Sequence, residues 1–493
     1  MRITSAAPRI LKGLGFAVLA LLLVLVINTF RQGRATLAAA PTPPKDAIDA
    51  VRVAGHLAQA LRFKTISHED PKNDDYAELD GLRAFLEATY PNVHTTLRRE
   101  IINGHALVYM WRGTDASLKP VLLTAHQDVV PIEPGTEQSW EHPPFEGAIA
   151  DGFVWGRGAR DDKGSLIAIL EATETLISEG FKPRRSVYLA FGFDEEVGGL
   201  NGAKRVAETF AANGTRFDYV LDEGGVVSDG IIPDLVTPIA LVGVTEKGFV
   251  TVELIVEMPT GHSSIPPPQT SVGILAAAID RLEREQLPPH LTRISRRLLE
   301  TIAPELPFGK RLTMSNLWLF ERLVVSTLTK EQATNASVRT TTAPTVFEAG
   351  VKENVLPSTA RALINFRILP GDTVDGVVAH VREVVADERV RVKRREGNVS
   401  EPPPASSTDS RAYRLIETTI HQFFPKALVS PSVVLGGTDA RHYTSVADGA
   451  YRFAPMVLRK RDLPTIHGTN ERTPVDAMGV AVRFYMQLLR AGD

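Results

Sequence analysis

Residues 121–130 read VLLTAHQDVV, an apolar run that ends with a histidine and an aspartate two positions apart. The run predicts a strand buried on both faces of a parallel sheet, and side chains two positions apart on a strand project from the same face. His126 is therefore placed to bind a metal while Asp128 steadies the site. A hydrogen-bonded core histidine before an aspartate turn gives the same pattern, so this stretch alone leaves both interpretations open.

Short Val- and Leu-rich runs alternate with segments of helical periodicity around this stretch. The alternation predicts strands at 121–125, 186–193 and 219–221, with helices at 165–178 and 202–212. It resumes near the C-terminus, where helices are predicted at 410–424 and 475–489 and strands at 427–434 and 452–458. Such a pattern is typical of an α/β fold with a mixed, mainly parallel sheet.

The pattern between these two α/β stretches is different. Predicted strands at 249–258 and 361–368 are each followed by a helix, at 271–285 and 373–386, and a long poorly patterned stretch separates them. This predicts a smaller α+β domain inserted into the α/β one. The predicted divisions are a membrane segment and linker at 1–45, the α/β domain at 46–242 and 396–493, and the inserted domain at 243–395.

The composition excludes several classes of protein. The 493 residues are 43% hydrophobic and 23% charged, as in a globular chain of two or three folding units. The formal net charge of −3 gives no basic footprint, so no nucleic-acid partner is expected. The chain has no cysteine, so any metal must bind to His, Asp and Glu side chains.

The N-terminus carries a candidate membrane segment. Three basic residues precede an uncharged, mainly apolar run at 13–30, which is long enough to span a bilayer. The charges before the run predict a cytoplasmic N-terminus and an extracytoplasmic catalytic part. The alternative is a signal peptide cleaved near the small residues 38–40, in which case the protein is secreted.

Acidic residues and a histidine gather in four further segments. These segments are WGRGARDDKG at 155–164, AFGFDEEVGG at 190–199, YVLDEGG at 219–225 and TIHGTNER at 465–472. Helix capping explains a single aspartate, and a solvated loop explains isolated acids or a lone histidine. Adjacent acids such as Asp161 and Asp162, or Glu195 and Glu196, are harder to explain in this way because like charges repel without a cation.

These segments are expected to meet at one place. Ligands of an open α/β sheet bind in the crevice at the carboxyl ends of its strands, where several of these segments lie. Carboxylates and imidazoles without sulfur suit zinc, cobalt or manganese in a catalytic site. Two metal ions need a bridging carboxylate, and one further acid must remain free to move protons.

The five motifs together resemble a family of zinc metallopeptidases. HxD, GRGxxDDKG, DEExGG, the later acid and the distant histidine are similar to those of carboxypeptidase S, glutamate carboxypeptidase, carnosinases, aminoacylases and succinyl-diaminopimelate desuccinylase. The LDEGG variant and the N-terminal apolar segment most resemble carboxypeptidase S and the secreted N-fatty-acyl amino acid hydrolase/synthase group. The resemblance covers residues 48–489, essentially the whole folded chain. It implies that the α/β domain is catalytic and that the insertion is a lid or dimerisation domain.

The resemblance implies two zinc ions and a role for each matching residue. The implied ligands are Asp161 as the bridge, His126 and Asp222 on one zinc, and Glu196 and His467 on the other. Glu223 is adjacent to Asp222, so the choice between these two acids stays open. Glu195 matches the general base, and Asp128 matches the acid that orients the site.

The resemblance also implies residues around the substrate. His262 in GHSS matches a histidine that supports the oxyanion, usually in a neighbouring active site across a dimer, although a satisfied turn histidine has the same surroundings. Arg367 suits a two-point grip on a carboxylate, although an ordinary surface arginine is the simpler alternative. The candidates for substrate binding are Asn354, Arg367, Gly437, Thr438 and Arg441.

The expected function is hydrolysis of the amide bond beside a C-terminal free amino acid in small peptides, as in a carboxypeptidase or dipeptidase. The first alternative within the enzyme class is an N-acyl amino acid amidohydrolase, working in one or both directions. A remote alternative is a membrane-tethered binding protein without catalytic activity. The expected partners are a small peptide or N-acyl amino acid, the membrane, and a second copy of the chain.

Overall fold

The computed structural model describes residues 7–31, 33, 42 and 44–492. The helices are α1 (Ala7–Arg31), α2 (Ala50–Ala60), α3 (Tyr76–Thr89), α4 (Pro91–Thr96), α5 (Lys163–Ser178), α6 (Ala203–Ala212), α7 (Ser271–Arg284), α8 (Arg293–Ile302), α9 (Phe308–Ser315), α10 (Leu317–Leu328), α11 (Gln332–Val338), α12 (Val374–Val385), α13 (Arg411–Phe423), α14 (Ala440–Tyr443) and α15 (Val475–Ala491).

The strands alternate with these helices in the first and last parts of the chain. They are β1 (Arg98–Ile102), β2 (Ala106–Trp111), β3 (Val121–His126), β4 (Ala148–Ala150), β5 (Phe153–Trp155), β6 (Val187–Gly192), β7 (Tyr219–Asp222), β8 (Val227–Asp229), β9 (Ile239–Glu246), β10 (Gly248–Glu257), β11 (Gly261–His262), β12 (Thr341–Ala349), β13 (Val355–Leu356), β14 (Thr359–Ile368), β15 (Val390–Arg394), β16 (Leu428–Val434), β17 (Ala450–Arg452), β18 (Val457–Arg459) and β19 (Arg472–Pro474).

The large sheet has the order β1-β2-β6-β3-β7-β17-β9-β8-β18, with β16 paired to β9. Pairing is parallel between β3 and both β6 and β7, between β17 and β7, between β16 and β9, and between β18 and β8. Strands β1, β2 and β6 pair antiparallel at one edge. The predicted α/β fold with a mixed, mainly parallel sheet is therefore confirmed.

Helices cover both faces of this sheet, which explains why its central strands read as continuous apolar runs. All six residues of β3 are buried. Helices α2, α5, α13 and α15 contribute to the core on one face, and α6 and α14 contribute to the core on the other. The carboxyl ends of β3, β6 and β7 are thus held at one edge of a sheet that is packed on both sides.

A second, antiparallel sheet has the order β12-β14-β10-β15. Buried residues alternate with partly exposed ones along β10, so one face of the sheet packs on α7 and α12 while the other is accessible. This sheet spans 248–394 and corresponds to the predicted α+β insertion. Strand β9 continues the large sheet to Glu246, because its pairing with β16 runs that far, four residues past the expected boundary at 242.

Helices in the middle of the insertion pack on the large sheet instead of the small one. Leu299, Ile302, Leu317 and Val324 form one apolar cluster with Leu428 at the start of β16. Helix α8 lies along β16. The expected inserted domain at 243–395 therefore contains two parts, of which only one belongs to the four-stranded sheet.

Helix α1 contains the candidate membrane segment. The stretch Gly13–Arg31 has a mean hydropathy of 2.5 and is 11% buried, so it is long and apolar enough to cross a membrane. Its last two turns contact α9 and Asn316, the residue between α9 and α10. The predicted signal-peptidase site at 38–40 lies outside the described residues.

Candidate metal centre and active site

His126 is the last residue of β3 and is buried at the carboxyl edge of the large sheet. Its Nδ1 lies 3.0 Å from the backbone carbonyl oxygen of Asp128 and 3.3 Å from Asp128 Oδ1. Its Nε2 points the other way and lies 2.9 Å from Asp161 Oδ1. An imidazole that is oriented through one nitrogen and presents the other is the usual arrangement of a metal-binding histidine.

Asp161 lies between two imidazoles that come from distant parts of the chain. Its Oδ1 faces His126, and its Oδ2 lies 3.1 Å from Nε2 of His467. His467 also lies 3.3 Å from Oε2 of Glu196. The four predicted ligands His126, Asp161, Glu196 and His467 therefore converge on one place.

The loop that carries Asp161 is fixed by Glu471, which is buried four residues after His467. The backbone N–H groups of Gly158, Arg160 and Asp161 donate to the Glu471 carboxylate at 3.0, 2.9 and 3.1 Å. Arg157 donates to the same carboxylate at 2.7 Å. One buried glutamate thus sets the position of Asp161 relative to the segment that contains the distant histidine.

Glu195 and Glu196 follow β6 in a short 3-10 turn, Glu195–Val197. Their backbone N–H groups donate to the Asp128 carboxylate at 3.2 and 3.1 Å. The Ser67 hydroxyl donates to the same carboxylate at 2.7 Å. Asp128 therefore orients both the imidazole of His126 and the turn that carries the two glutamates, as expected of a residue that positions the site.

Asp222 and Glu223 point to different places at the end of β7. Oδ2 of Asp222 accepts the backbone N–H of Ala440 at 2.6 Å. A carboxylate oxygen of Glu223 lies within 4.8 Å of potential ligand atoms of His126 and Glu195. Successive side chains of an extended chain face opposite ways, so only one of these acids can reach the site. The geometry favours Glu223 over the expected Asp222.

Burial shifts the pKa values of these acids in a way that bound positive charge would compensate. Burial raises the pKa of Glu195 and of Glu223 well above the usual range, and that of Glu196 to about 6. Burial also acts to raise the pKa of Asp161, but hydrogen bonds from two imidazoles lower it below its usual value. Hydrogen bonds from Asp161 and Glu196 raise the pKa of His467 to about 10. Divalent cations would let these acids ionise together.

Two overlapping sets of ligand atoms fit such cations. His126, Asp161 and Glu196 form one set, and His126, Glu195 and Glu223 form the other, with all atoms of a set within 4.8 Å of one another. The donors are imidazole nitrogen and carboxylate oxygen, which suit zinc, cobalt or manganese. One oxygen of Glu196 is buried without a hydrogen-bond partner among the described residues, as expected of an atom reserved for a metal.

A cavity of about 800 Å³ lies beside these acids. The predicted substrate residues Arg367, Gly437, Thr438 and Arg441 all line it. The guanidinium of Arg367 lies over the ring of Phe249, 4.7 Å from its centroid. Burial and the charge of Arg441 lower the pKa of Arg367. The cavity therefore combines metal-type ligands with guanidinium groups, among them those of Arg367 and Arg441.

Contacts within the protein fix Arg441. It donates to the carbonyl oxygen of Gly198 at 2.9 Å, and its Nη1 lies 3.7 Å from the buried carboxylate of Glu246. Thr438 donates both its N–H and its hydroxyl to Glu246, so this hydroxyl is already used. A Cβ at Gly437 would come within 2.2 Å of Arg441 Nη1, so glycine makes room for the guanidinium.

His262 and Asn354 lie outside this cavity. Both are exposed, and β11, which ends at His262, pairs with β13, which begins just after Asn354. The carbonyl oxygen of Asn354 accepts the N–H of Ser263, and Nδ1 of His262 accepts the N–H of Ser264. Neither of the two predicted residues is among those that line the cavity. The structure does not bring them to the active site of their own chain.

Two buried acids that support the site were not predicted from the sequence. Glu471 holds the loop of Asp161, and Glu246 binds Thr438 and the buried guanidinium of Arg452. The signal for Glu246 was its place at the end of an apolar run, as for the predicted ligands. Glu471 stood in the quoted segment TIHGTNER, but an acid in a polar loop has no distinctive pattern.

Comparison with known proteins places the chain in a family. The model of Peptidase family M20/M25/M40 matches residues 122–491. The chain is 42% identical to a probable carboxypeptidase S-like protein of Dictyostelium discoideum, over 95% of this chain and 92% of the relative. It is 41% identical to an N-fatty-acyl-amino acid synthase/hydrolase of Xenopus tropicalis, over 89% of this chain and 85% of that protein. It is 30% identical to carboxypeptidase S of Saccharomyces cerevisiae, over 88% and 83% of the two chains.

Solved structures share the fold at low sequence identity. An M20 family metallo-carboxypeptidase from Sulfolobus solfataricus superposes with a TM-score of 0.67 and 18% identity, over 90% of this chain and 99% of that chain. Human carnosine dipeptidase 1 gives a TM-score of 0.64 and 14% identity, over 90% and 96% of the two chains. From the family match and these relatives, the chain belongs to peptidase family M20/M25/M40 and is a metallopeptidase or amidohydrolase of that family.

Proposed function

We propose that this protein is a dinuclear metal hydrolase, with zinc as the first choice of metal, that cleaves an amide bond beside a free carboxylate. The observation that carries the proposal is the position of Asp161, whose two oxygens face two different imidazoles. A carboxylate shared in this way is suited to bridge two cations. When bound, such a pair of cations polarises the amide carbonyl and lowers the pKa of the attacking water.

The ligands are assigned from the directions of the side chains. The proposed ligands are Asp161 as the bridge, His126 and Glu223 for one ion, and Glu196 and His467 for the other. Glu223 takes the place first expected for Asp222, because the carboxylate of Asp222 already accepts a backbone N–H from α14.

Glu195 is the proposed general base. It takes a proton from the attacking water and returns it to the leaving amine. Burial raises its pKa well above the usual range, and bound cations would oppose this shift and favour the ionised form that accepts the proton. Asp128 accepts the backbone N–H of Glu195, so it acts as a positioning residue.

Arg367 and Arg441 are the proposed anchors for the substrate carboxylate. Arg367 stacks on Phe249 and has no carboxylate in an ion pair among the described residues, so its charge is available to a ligand. A planar guanidinium can bind a carboxylate through two parallel hydrogen bonds. Arg441 adds a second positive charge to the same cavity.

The cavity favours an N-acyl amino acid over a dipeptide as the substrate. Its volume of about 800 Å³ is at the upper end of ordinary ligand sites. A set of apolar side chains forms part of the lining: Val226, Val434, Ala454, Met456, Leu458 and Ile466. An apolar wall of this size would gain little from the amino end of a dipeptide but can bury a long acyl group. Small peptides remain the second candidate.

A substrate series tests this assignment. The purified protein, loaded with zinc, is assayed on one amino acid with acyl groups from acetyl to long-chain, and on matched dipeptides. We expect kcat/KM to rise with acyl length, by roughly ten-fold for each pair of fully buried methylenes. A protein that cleaves Gly-Leu-type dipeptides best and ignores acyl length would contradict the substrate class while leaving the metal hydrolase intact.

We also infer that α1 remains attached as a membrane anchor, with the catalytic part extracytoplasmic. Its length and hydropathy support this proposal. Alkaline carbonate extraction followed by N-terminal sequencing tests it. We expect the intact chain in the membrane pellet, whereas a soluble protein that begins just after residues 38–40 would mean that the segment is a cleaved signal.

A further inference from the structure

Helices α9 and α10 expose a row of large apolar side chains. Phe308, Trp318, Leu319 and Leu323 are 56%, 61%, 44% and 56% exposed. The opposite side of the helix pair is buried against the large sheet through residues such as Leu317 and Val324. The helix pair therefore has apolar side chains on two sides, which is unusual for a helix that faces water.

Helix α1 packs directly beside this row. Nδ2 of Asn28 donates to Oδ1 of Asn316 at 3.0 Å, and the indole N–H of Trp318 reaches the same oxygen at 3.3 Å. Asn316, which is fully buried, donates to the carbonyl oxygen of Leu25 at 3.1 Å. The rings of Phe30 and Phe308 are 6.3 Å apart. The exposed row thus continues from the surface of the candidate membrane helix.

These contacts lie at a defined depth along α1. The 19 residues of the apolar span are about 28 Å long at the rise of an α-helix, close to the thickness of a bilayer core. The contacts involve residues 25–30, within about 9 Å of the C-terminal end of the span. Amphipathic helices that lie on membranes bury their apolar faces about 5–10 Å deep. The exposed apolar row on α9 and α10 is therefore held at the depth at which an amphipathic helix buries its apolar face in a membrane.

We propose that the α9–α10 pair is embedded in the membrane leaflet at the C-terminal end of α1, with Phe308, Trp318, Leu319 and Leu323 among the lipids. The occupant of this surface is a phospholipid leaflet. Lys310 is paired with Asp234, and Arg296 with Glu321, whereas Arg322, next to Leu323, is exposed and has no acidic partner among the described residues. Apolar burial and the interfacial preference of tryptophan drive the contact, without a need for anionic lipid.

The embedded pair orients the active site relative to the membrane. Leu428, at the start of β16, packs with α8 and α10, whereas Val434, at its end, lines the cavity. The seven residues of β16 extend about 20 Å. The cavity therefore lies at the opposite end of a rigid strand from the helix pair, so its position relative to the lipid surface is fixed instead of depending on the linker after α1.

Tryptophan fluorescence of the full-length protein in phosphatidylcholine vesicles tests the proposal. Trp111, Trp140 and Trp155 are buried, and α1 contains no tryptophan. Brominated lipids should therefore quench the wild-type protein, with bromines near the headgroup more effective than deep ones, and this quenching should be lost in Trp318→Phe. Equal quenching of the wild type and the variant would overturn the proposal.

Labelling provides a second measurement that does not depend on Trp318. The chain has no native cysteine, so Leu323→Cys and the control Val351→Cys, which is 95% exposed, can each carry one environment-sensitive dye. We expect the emission of the label at 323 to shift to shorter wavelength and to be quenched by brominated lipid, while the label at 351 behaves as in water. Shielding of position 323 without lipid quenching would mean that a second copy of the chain covers the row, and would overturn the proposal.

Discussion

At the scale of single residues, Asp128 determines the position of the proposed catalytic groups. Its buried carboxylate contacts the imidazole of His126 and accepts the backbone N–H groups of Glu195 and Glu196. A change at Asp128 would thus disturb a proposed metal ligand and the proposed base together. Glu195 itself can be tested separately, because its backbone, and not its carboxylate, makes this contact.

Glu195→Gln is expected to lower kcat by roughly 10²- to 10⁴-fold, because the proton carrier is lost. The metal content should stay nearly unchanged, since Glu195 is not among the proposed ligands. Steady-state kinetics on the best substrate and elemental analysis of the same preparation measure both quantities. If activity and metal disappear together, Glu195 is a ligand and the base has been misassigned.

Asp222 and Glu223 form a matched pair of variants. Glu223→Gln should lower the affinity for one of the two metal ions, because it removes a proposed ligand. Asp222→Asn should keep the metal, because its amide oxygen can still accept the N–H of Ala440. Metal titration by calorimetry compares the two variants. The reverse result would restore the original assignment to Asp222.

The sequence could not decide between these two acids. Asp222 ends the strand and Glu223 follows it directly, so the apolar pattern does not distinguish them, and the resemblance pointed to Asp222. The choice depends on the position of Ala440, which follows 218 residues later and supplies the N–H that occupies Asp222. A contact between such distant residues leaves no local pattern in the sequence.

At the scale of elements, the short helix α14 joins the acid turn after β6 to the arginines of the cavity. Nε2 of His442 lies 2.9 Å from the carbonyl oxygen of Gly198, and Arg441 donates to the same oxygen. Burial and the charge of Arg441 lower the pKa of His442 to about 4. In the folded protein this histidine is therefore neutral at physiological pH.

The low pKa of His442 predicts a loss of stability in acid. The unfolded chain takes up a proton near the usual histidine pKa of about 6.5, whereas the folded chain does so only near pH 4, so unfolding binds protons between these values. The free energy of unfolding should fall by about 3 kcal/mol as the pH falls through this window. Denaturant unfolding of the wild type and of His442→Asn measures the difference. An identical pH dependence in the two proteins would contradict the prediction.

The sequence predicted the bounds of an element most accurately where a strand is buried on both faces or a helix packs by one face. Strands β3, β6 and β7 and helix α5 begin and end within a few residues of their predicted bounds. The helices between 293 and 338 were not predicted. The apolar residues of α9 and α10 lie on two sides, one against the sheet and one beside α1 or exposed, so these two helices show no clear helical period. Helix α8 is amphipathic, and its period was overlooked because it is only ten residues long.

At the scale of the whole molecule, the exposed position of His262 suggests a site that two chains complete. The cavity already contains the proposed ligands, base and arginines, but His262 and Asn354 lie outside it. A second copy of the chain, docked through the four-stranded sheet, would be needed to bring His262 to a reacting amide. Neither the number of copies nor their arrangement can be read from one sequence.

Complementation between variants tests this arrangement. His262→Ala and Glu195→Gln should each be almost inactive alone. When the two are co-expressed in equal amounts, mixed dimers contain one site with both groups, so about one quarter of the wild-type activity should return. Mixtures that stay as inactive as the separate variants would mean that His262 does not act across a dimer.

We propose that acids and imidazoles from distant segments hold two divalent cations around Asp161, and the rest of the proposed function depends on this site. The most direct measurement is the amount of metal bound per chain, by elemental analysis of chelator-treated protein titrated with zinc, with activity followed in the same samples. We expect activity to return as two ions bind per chain, and Asp161→Asn to lose both ions and activity. Full turnover by metal-free protein, or saturation at one ion with Asp161→Asn unaffected, would contradict the account.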